Sequence, residues 1–150
     1  MNDIKNFFKK ILPFLMTIFL WRLSVSWWNP AGILALIPVF YYTFVRPVNW
    51  FVLFGGLICF LIDYRCGLPL FWTFLFVLFY AINGFQNYID APHMENNALY
   101  LFMLFVGFGI FILMFSGLNM IGFINNLWLF MWLTVLYIPI TNLDRWVKKW

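Results

Sequence analysis

Charge is scarce in this chain. Lys, Arg, Asp and Glu together make up 9% of its 150 residues, where a soluble domain carries about 25%. That scarcity excludes a water-facing shell. With 65% of residues hydrophobic and a mean hydropathy of +0.91, the chain reads as an integral membrane protein, and no hydrophilic stretch is long enough to form a second domain. Histidine is nearly absent as well. The single one, His93, sits in a polar loop with Asp90 three residues earlier, a pattern more often solvated than metal-bound. Cysteine is confined to Cys59 within an apolar run and Cys66 at a turn, too few and too differently placed for a disulfide framework. There is no Gly-rich phosphate cradle, no helical His-Glu-x-x-His and no GxSxG serine. Ser24, Ser26 and Ser116 lack a histidine on their side of the membrane to act as base. No catalytic, cofactor-binding or metal-binding residue is therefore expected.

What the chain does have is a run of apolar segments separated by short polar breaks. Residues 2–10 place Ile4, Phe7, Phe8 and Ile11 at helical spacing against Lys5 and Lys9, the pattern of an amphipathic lead-in lying on an anionic lipid surface. Lys5, Lys9 and Lys10 ahead of an apolar run also resemble a signal peptide, with Ser24-Val25-Ser26 as a cleavage mimic. Arg22 and Trp27-Trp28 argue instead for a retained first span. The hydropathy predicts an all-α, polytopic protein of six transmembrane helices, at about 11–28, 31–45, 48–62, 70–87, 98–115 and 127–141. Trp21, Trp27 and Trp28 suit an interfacial belt, and a bend is expected at Pro38. Asp90–Asn97 and Ser116–Asn126 read as loops. Several spans are nearer fifteen residues than the roughly 20 that cross a bilayer comfortably, so flanking residues or local thinning must make up the difference.

Six spans put both termini on one side, together with Lys5, Lys9, Lys10, Arg46, Arg145, Lys148 and Lys149, and leave Arg22 and Arg65 on the other. The positive-inside rule makes the first side cytoplasmic. The formal net charge of +4 is thus a topology signal, and nucleic acid is not an expected partner.

One stretch stands out as the helix around which the others are expected to gather. In the run from Gly55 to Pro69, Gly55, Cys59 and Asp63 fall four apart on one helical stripe, with Gly56 one position round. Small residues on that stripe let a neighbouring helix approach closely, and the stripe aims Asp63 at protein, away from lipid where a charge would cost roughly 2.5 kcal/mol or more. Arg22, inside the first span, needs a partner, and Asp63 is the acid available on its side. Arg22 and Asp63 are expected to pair between the first and third helices, with Arg65 at the headgroups or on a partner. The alternative is that Arg22 snorkels along its own helix and Asp63 caps the turn. Gly107 and Gly109 mark a further close helix contact.

The stretch Pro38-Val39-Phe40-Tyr41-Tyr42-Thr43-Phe44-Val45-Arg46-Pro47 resembles the rod shape-determining membrane protein MreD family. The resemblance continues through Phe54-Gly55-Gly56-Leu57, Leu61-Ile62-Asp63 and Gly67-Leu68-Pro69-Leu70, and Ile138-Pro139 followed by Leu143-Asp144-Arg145 is similar to that family's last helix and basic tail. Elsewhere the likeness is one of hydropathy, and the loop 90–97 departs from the pattern in lacking basic residues. The resemblance implies a multi-pass subunit of the bacterial inner membrane, in the cell-elongation machinery. It implies binding to MreC, a single-span protein, and indirect work with MreB filaments and the RodA/transpeptidase pair in sidewall peptidoglycan synthesis. It also implies a fold similar to the substrate-binding subunits of energy-coupling-factor vitamin transporters. A non-enzymatic scaffold is the leading expectation. A transporter-type subunit with a vitamin-like ligand near Asp63 and Arg65 is its rival, and a small membrane enzyme stands third.

Overall fold

The computed structural model describes residues 2–27, 32–48, 50–86 and 120–149, together with 106–107, 109–111 and 114. All regular structure among the described residues is helical, as expected for an all-α chain. The first helix, α1, runs without a break over Asn2–Trp27, so the amphipathic lead-in and the first span are one element. Pro13 lies inside it. A proline there removes one backbone donor, and Thr17 is back-bonded nearby, its hydroxyl donating to the Pro13 carbonyl at 2.7 Å.

The chain next forms a central segment, Ile33–Val45, wound three ways. Ile33–Ala35 is a turn of 3-10 helix, Leu36–Phe40 is α-helical (α2) and Tyr41–Val45 is π-helical. Pro38 has no N–H to give and its ring crowds the Leu34 carbonyl four residues back, which breaks the regular ladder at the start of this segment, where the 3-10 turn lies. Beyond it, the Arg46 amide reaches back five residues to the Tyr41 carbonyl at 2.9 Å. Every residue from 32 to 45 is buried. A helix apolar on all sides belongs in the middle of a bundle, and this one, in place of the Gly55–Asp63 helix, is the element the others surround.

Helix α3 spans Phe51–Cys66 and α4 spans Phe71–Gln86. α3 begins three residues later than expected and continues through Asp63-Tyr64-Arg65-Cys66, which the sequence reading gave to a turn. The stop comes at Gly67, in the left-handed conformation (φ 64°), with the Gly67 and Leu68 amides both donating to the Asp63 carbonyl. That is a Schellman end, and glycine adopts its geometry without strain. The expected stripe is real: Gly55, Cys59 and Asp63 are all buried, while Leu53, Leu57, Phe60 and Tyr64 face outward. A methyl group at Gly55 would sit 3.2 Å from Val39 Cγ1 and 3.3 Å from the Phe76 ring, so this position lets α3 close on both the central segment and α4.

The last helix, α5, covers Met120–Lys149. It starts inside the expected loop 116–126 and absorbs the basic tail. Nothing between Ile121 and Lys149 stops it, since Pro139 falls within an otherwise continuous apolar helix. Most of the expected fifth span, the loop 90–97 with His93, and Trp28 lie outside the described residues. Gly107 packs against α4, where an added methyl would meet Leu75 at 2.8 Å, whereas Gly109 opens onto space.

Aromatic rings make up much of the core. Phe40 and Phe44 of the central segment meet Phe76 and Phe79 of α4, and Tyr42 meets Phe51, which meets Phe14 of α1. Trp21, expected at an interface, lays its ring on Gly32. Ile4, Phe8 and Leu12 of α1 line one groove with Trp146 and Val147 of α5, so the described ends of the chain lie together. By length and composition one helix among the described residues, Phe123–Val147, is apolar enough to cross a membrane, with 25 residues at a mean hydropathy of 1.6. Ile33–Val45 and Phe71–Gly84 are apolar but shorter.

Candidate functional site

Two buried carboxylates organise the polar interior, one at each end of the bundle. Asp63 is fully buried on the last turns of α3. Its Oδ1 accepts from the Trp72 amide at 3.0 Å, and its Oδ2 accepts from the Thr73 amide at 2.8 Å and the Thr73 hydroxyl at 2.7 Å. Trp72 and Thr73 are the second and third residues of α4, whose amides have no partner within their own helix. A side-chain oxygen on the residue just before a helix normally serves them. Here that residue is Leu70, held at φ 52°, with no oxygen to offer. Asp63 reaches across the Gly67–Leu70 turn and caps α4 in its stead, where the positive end of the helix also favours its charge. The alternative reading of Asp63, as a cap, is the one the structure assigns. The expected Arg22–Asp63 pair is not formed: both Asp63 oxygens are engaged by α4, and Arg22 is exposed on α1. Contact with a cap nine or ten residues away closes a far shorter loop than contact with α1.

The second carboxylate went unrecognised in the sequence. Asp144 lies on α5 within the stretch read as a basic tail, yet only 2% of it is exposed. Its Oδ2 forms an ion pair with Arg46 Nη1 at 2.7 Å. The Tyr41 hydroxyl donates to Oδ2 at 3.2 Å and the Tyr42 hydroxyl to Oδ1 at 3.3 Å. The π-helical turn is what presents two consecutive tyrosines to one acid: their rings meet edge to face at 4.9 Å. Tyr137, two helical turns back along α5, packs on Tyr41. Two signals were present in the chain, a Tyr-Tyr pair four residues before an arginine and an acid in an apolar helix, but nothing local links them.

The remaining expected residues fall out as follows. Gly55 and Cys59 are buried, Gly56 is half-buried beside the Phe76 ring, and Arg65 is exposed on the last turn of α3, where the helix dipole favours a cation. Pro47 is exposed at the turn into α3. A groove of about 590 Å³ opens there, walled by Trp50, Tyr80, Asn83 and Thr43. The Thr43 hydroxyl is buried without a hydrogen-bond partner among the described residues. Two further grooves, of about 490 and 390 Å³, follow one another along the seam between α1 and α5. Among the described residues no three His, Cys, Asp or Glu side chains gather as metal ligands.

Both acids therefore tie helices together. Asp63 joins α3 to α4, and Asp144 joins α5 to the central segment. No family model, curated protein or solved structure matches the chain.

Proposed function

We propose that this chain is a non-enzymatic, multi-span scaffold subunit of a bacterial inner membrane, with both termini cytoplasmic, acting by helix-to-helix binding in the cell-elongation complex. Its direct partner would be an MreC-like single-span protein, with the RodA/transpeptidase pair and MreB engaged indirectly. The observation that carries this reading is how the buried acids are used. A ligand-binding subunit of the transporter type needs polar groups directed at a cavity, and the acid on which that rival depends, Asp63, has both oxygens bound to the start of α4. The outward faces, by contrast, are large and apolar. Phe19, Leu57, Phe60, Phe74, Val77 and Ile138 are all exposed, around a buried and mainly apolar core segment. Surfaces of this kind are covered by lipid or by another membrane helix. The likeness of the Pro38–Pro47, Phe54–Leu57 and Leu143–Arg145 stretches to the MreD family supplies the cellular setting.

The test is purification from a native bacterial membrane in mild detergent. A stoichiometric single-span protein, with depletion of the chain widening or rounding rod-shaped cells, is the expected result. A stoichiometric small molecule in mass spectra of the purified protein, with cell shape unchanged on depletion, would transfer the assignment to a transporter subunit.

A further inference from the structure

Of the five threonines in the chain, four have a bonded hydroxyl. Thr17, Thr134 and Thr141 each donate to a carbonyl three or four residues back, and Thr73 donates to Asp63. Thr43 is the exception. It lies on the π-helical turn, is only 2% exposed, and its hydroxyl has no hydrogen-bond partner among the described residues. A buried hydroxyl left so is costly, and a helical threonine ordinarily escapes the cost by bonding back to its own helix. The turn that brings Tyr41 and Tyr42 to Asp144 sets Thr43 instead in the floor of the groove of about 590 Å³ beside Pro47. Irregular turns of this kind recur where a helix serves a site.

The walls of that groove share one chemistry. Among the described residues no charged one lines it. Trp50 and Tyr80 border it with exposed rings, and Asn83 adds a half-buried amide. Trp50 is held there at φ 70°, a backbone conformation that disfavours any side chain. Gly84 leaves the α4 wall open, since a methyl there would meet nothing within 4 Å. The hydroxyls of Thr43 and Tyr80 and the amide of Asn83 can each donate and accept. Hydroxyl groups on an occupant do the same, and the C–H face of a saturated ring packs on an aromatic one. Few polar groups set among aromatic and apolar walls are the usual make-up of a small-molecule site.

We propose that this groove binds an uncharged, hydroxylated ring, a hexose either free or as the head of a lipid, with its hydroxyls toward Thr43, Tyr80 and Asn83 and its C–H face on Trp50. The groove lies at the Arg46 end of the bundle, away from Asp63. It therefore depends neither on a single-span partner nor on the transporter reading, and failure to recover that partner would leave it standing.

The experiment is equilibrium binding of radiolabelled glucose and of a radiolabelled glucosyl-diacylglycerol to the full chain, purified in a polyoxyethylene detergent that carries no sugar. Saturable binding of one sugar per chain is expected, with no competition from the same diacylglycerol lacking its sugar. A lower Kd for the glycolipid would mark the lipid as the source, and equal values would mark the free sugar. Thr43→Val should raise Kd about tenfold, the loss of one hydrogen bond, while leaving the unfolding temperature unchanged or higher, because the hydroxyl it removes has no partner. Thr43→Ser should retain binding, Gly84→Leu should block it by filling the groove, and Lys10→Gln, in the neighbouring groove that shares Pro47 and Trp50, should leave it unchanged. Absence of saturable binding for both probes, full competition by diacylglycerol, or a Kd unmoved by both Thr43→Val and Gly84→Leu would overturn the proposal. A Thr43→Val protein that unfolds more readily would overturn it too, by showing that the hydroxyl is already bonded.

Discussion

Arg46 and Asp144 stand 98 positions apart in sequence and 2.7 Å apart in the fold. One ends the central segment and the other lies on the last helix, so this pair and its two tyrosines fasten the final helix to the middle of the bundle. The acid is almost wholly buried while the arginine keeps about a third of its surface, 35%, so the pair is partly screened and its cost of disruption is reduced accordingly. Asp144→Asn is expected to destabilise by about 2 kcal/mol, and Tyr42→Phe by about 1 kcal/mol. Thermal unfolding in detergent measures both, and a cycle of Arg46→Gln with Asp144→Asn should show coupling of about 1 kcal/mol or more.

Asp63 gives a prediction of opposite character, because its partners are backbone. Asp63→Ala leaves two amides and a hydroxyl without their acceptor and should cost about 2–3 kcal/mol. Asp63→Asn retains one carbonyl oxygen and should cost about 1 kcal/mol. Since Arg22 does not contact the acid, the Arg22→Ala and Asp63→Asn changes are expected to add within about 0.5 kcal/mol. Amide hydrogen exchange at Trp72 and Thr73 offers a local readout: both should speed up in Asp63→Ala before the rest of α4 does.

Adjacent glycines in α3 should respond differently to an added side chain. At Gly55 the new methyl falls 3.2 Å from Val39 and 3.3 Å from Phe76, tighter than ordinary contact, and Gly55→Val is expected to destabilise by about 1–3 kcal/mol. At Gly56 the nearest atom is 3.7 Å away, so Gly56→Ala gains helix propensity without a clash and should stabilise by several tenths of a kcal/mol, about 0.5–1 at most. Paired melting curves would decide it. A Gly55→Val variant as stable as the parent would mean that α3 does not approach the central segment this closely.

The two cysteines report on orientation. Cys59 is completely buried between helices, whereas Cys66 is partly open on the last turn of α3, at the end of the bundle away from Arg46. A membrane-impermeant maleimide applied to intact cells should modify Cys66, and Cys59 should react only after unfolding in detergent. Labelling of Cys66 confined to inverted vesicles would reverse the proposed topology.

The α3 stripe was legible because its spacing of four is a local property and small residues mark it plainly. Gly107 was legible for the same reason. The length of α1 was not, since its lysine-bearing start reads as a lead-in separate from the first span, yet the helix runs unbroken through both and past Pro13. α5 was underestimated for a similar cause: Asn125 and Asn126 look like a loop, and Asp144-Arg145-Trp146-Val147-Lys148-Lys149 looks like a tail, although the helix continues through both. The acids were misjudged because sequence shows which charges lack neighbours but not which backbone groups lack partners. Asp63 answered the amides of α4, and the arginine found for Asp144 lies on an element that only the folded chain brings near. The central position of Ile33–Val45 could not be read either, since a short apolar run looks the same whether one side of it is covered or all of them.

That enclosure has a consequence for biosynthesis. The segment is walled by α1 on its upstream side and by α5, the final 30-residue helix, on the other. While the ribosome is still making the last part of the chain, the hydroxyls of Tyr41 and Tyr42 and the guanidinium of Arg46 face an open flank. The flank closes only once α5 has been made, so a stalled or shortened product lacking α5 leaves these polar groups uncovered and is expected to be prone to proteolysis.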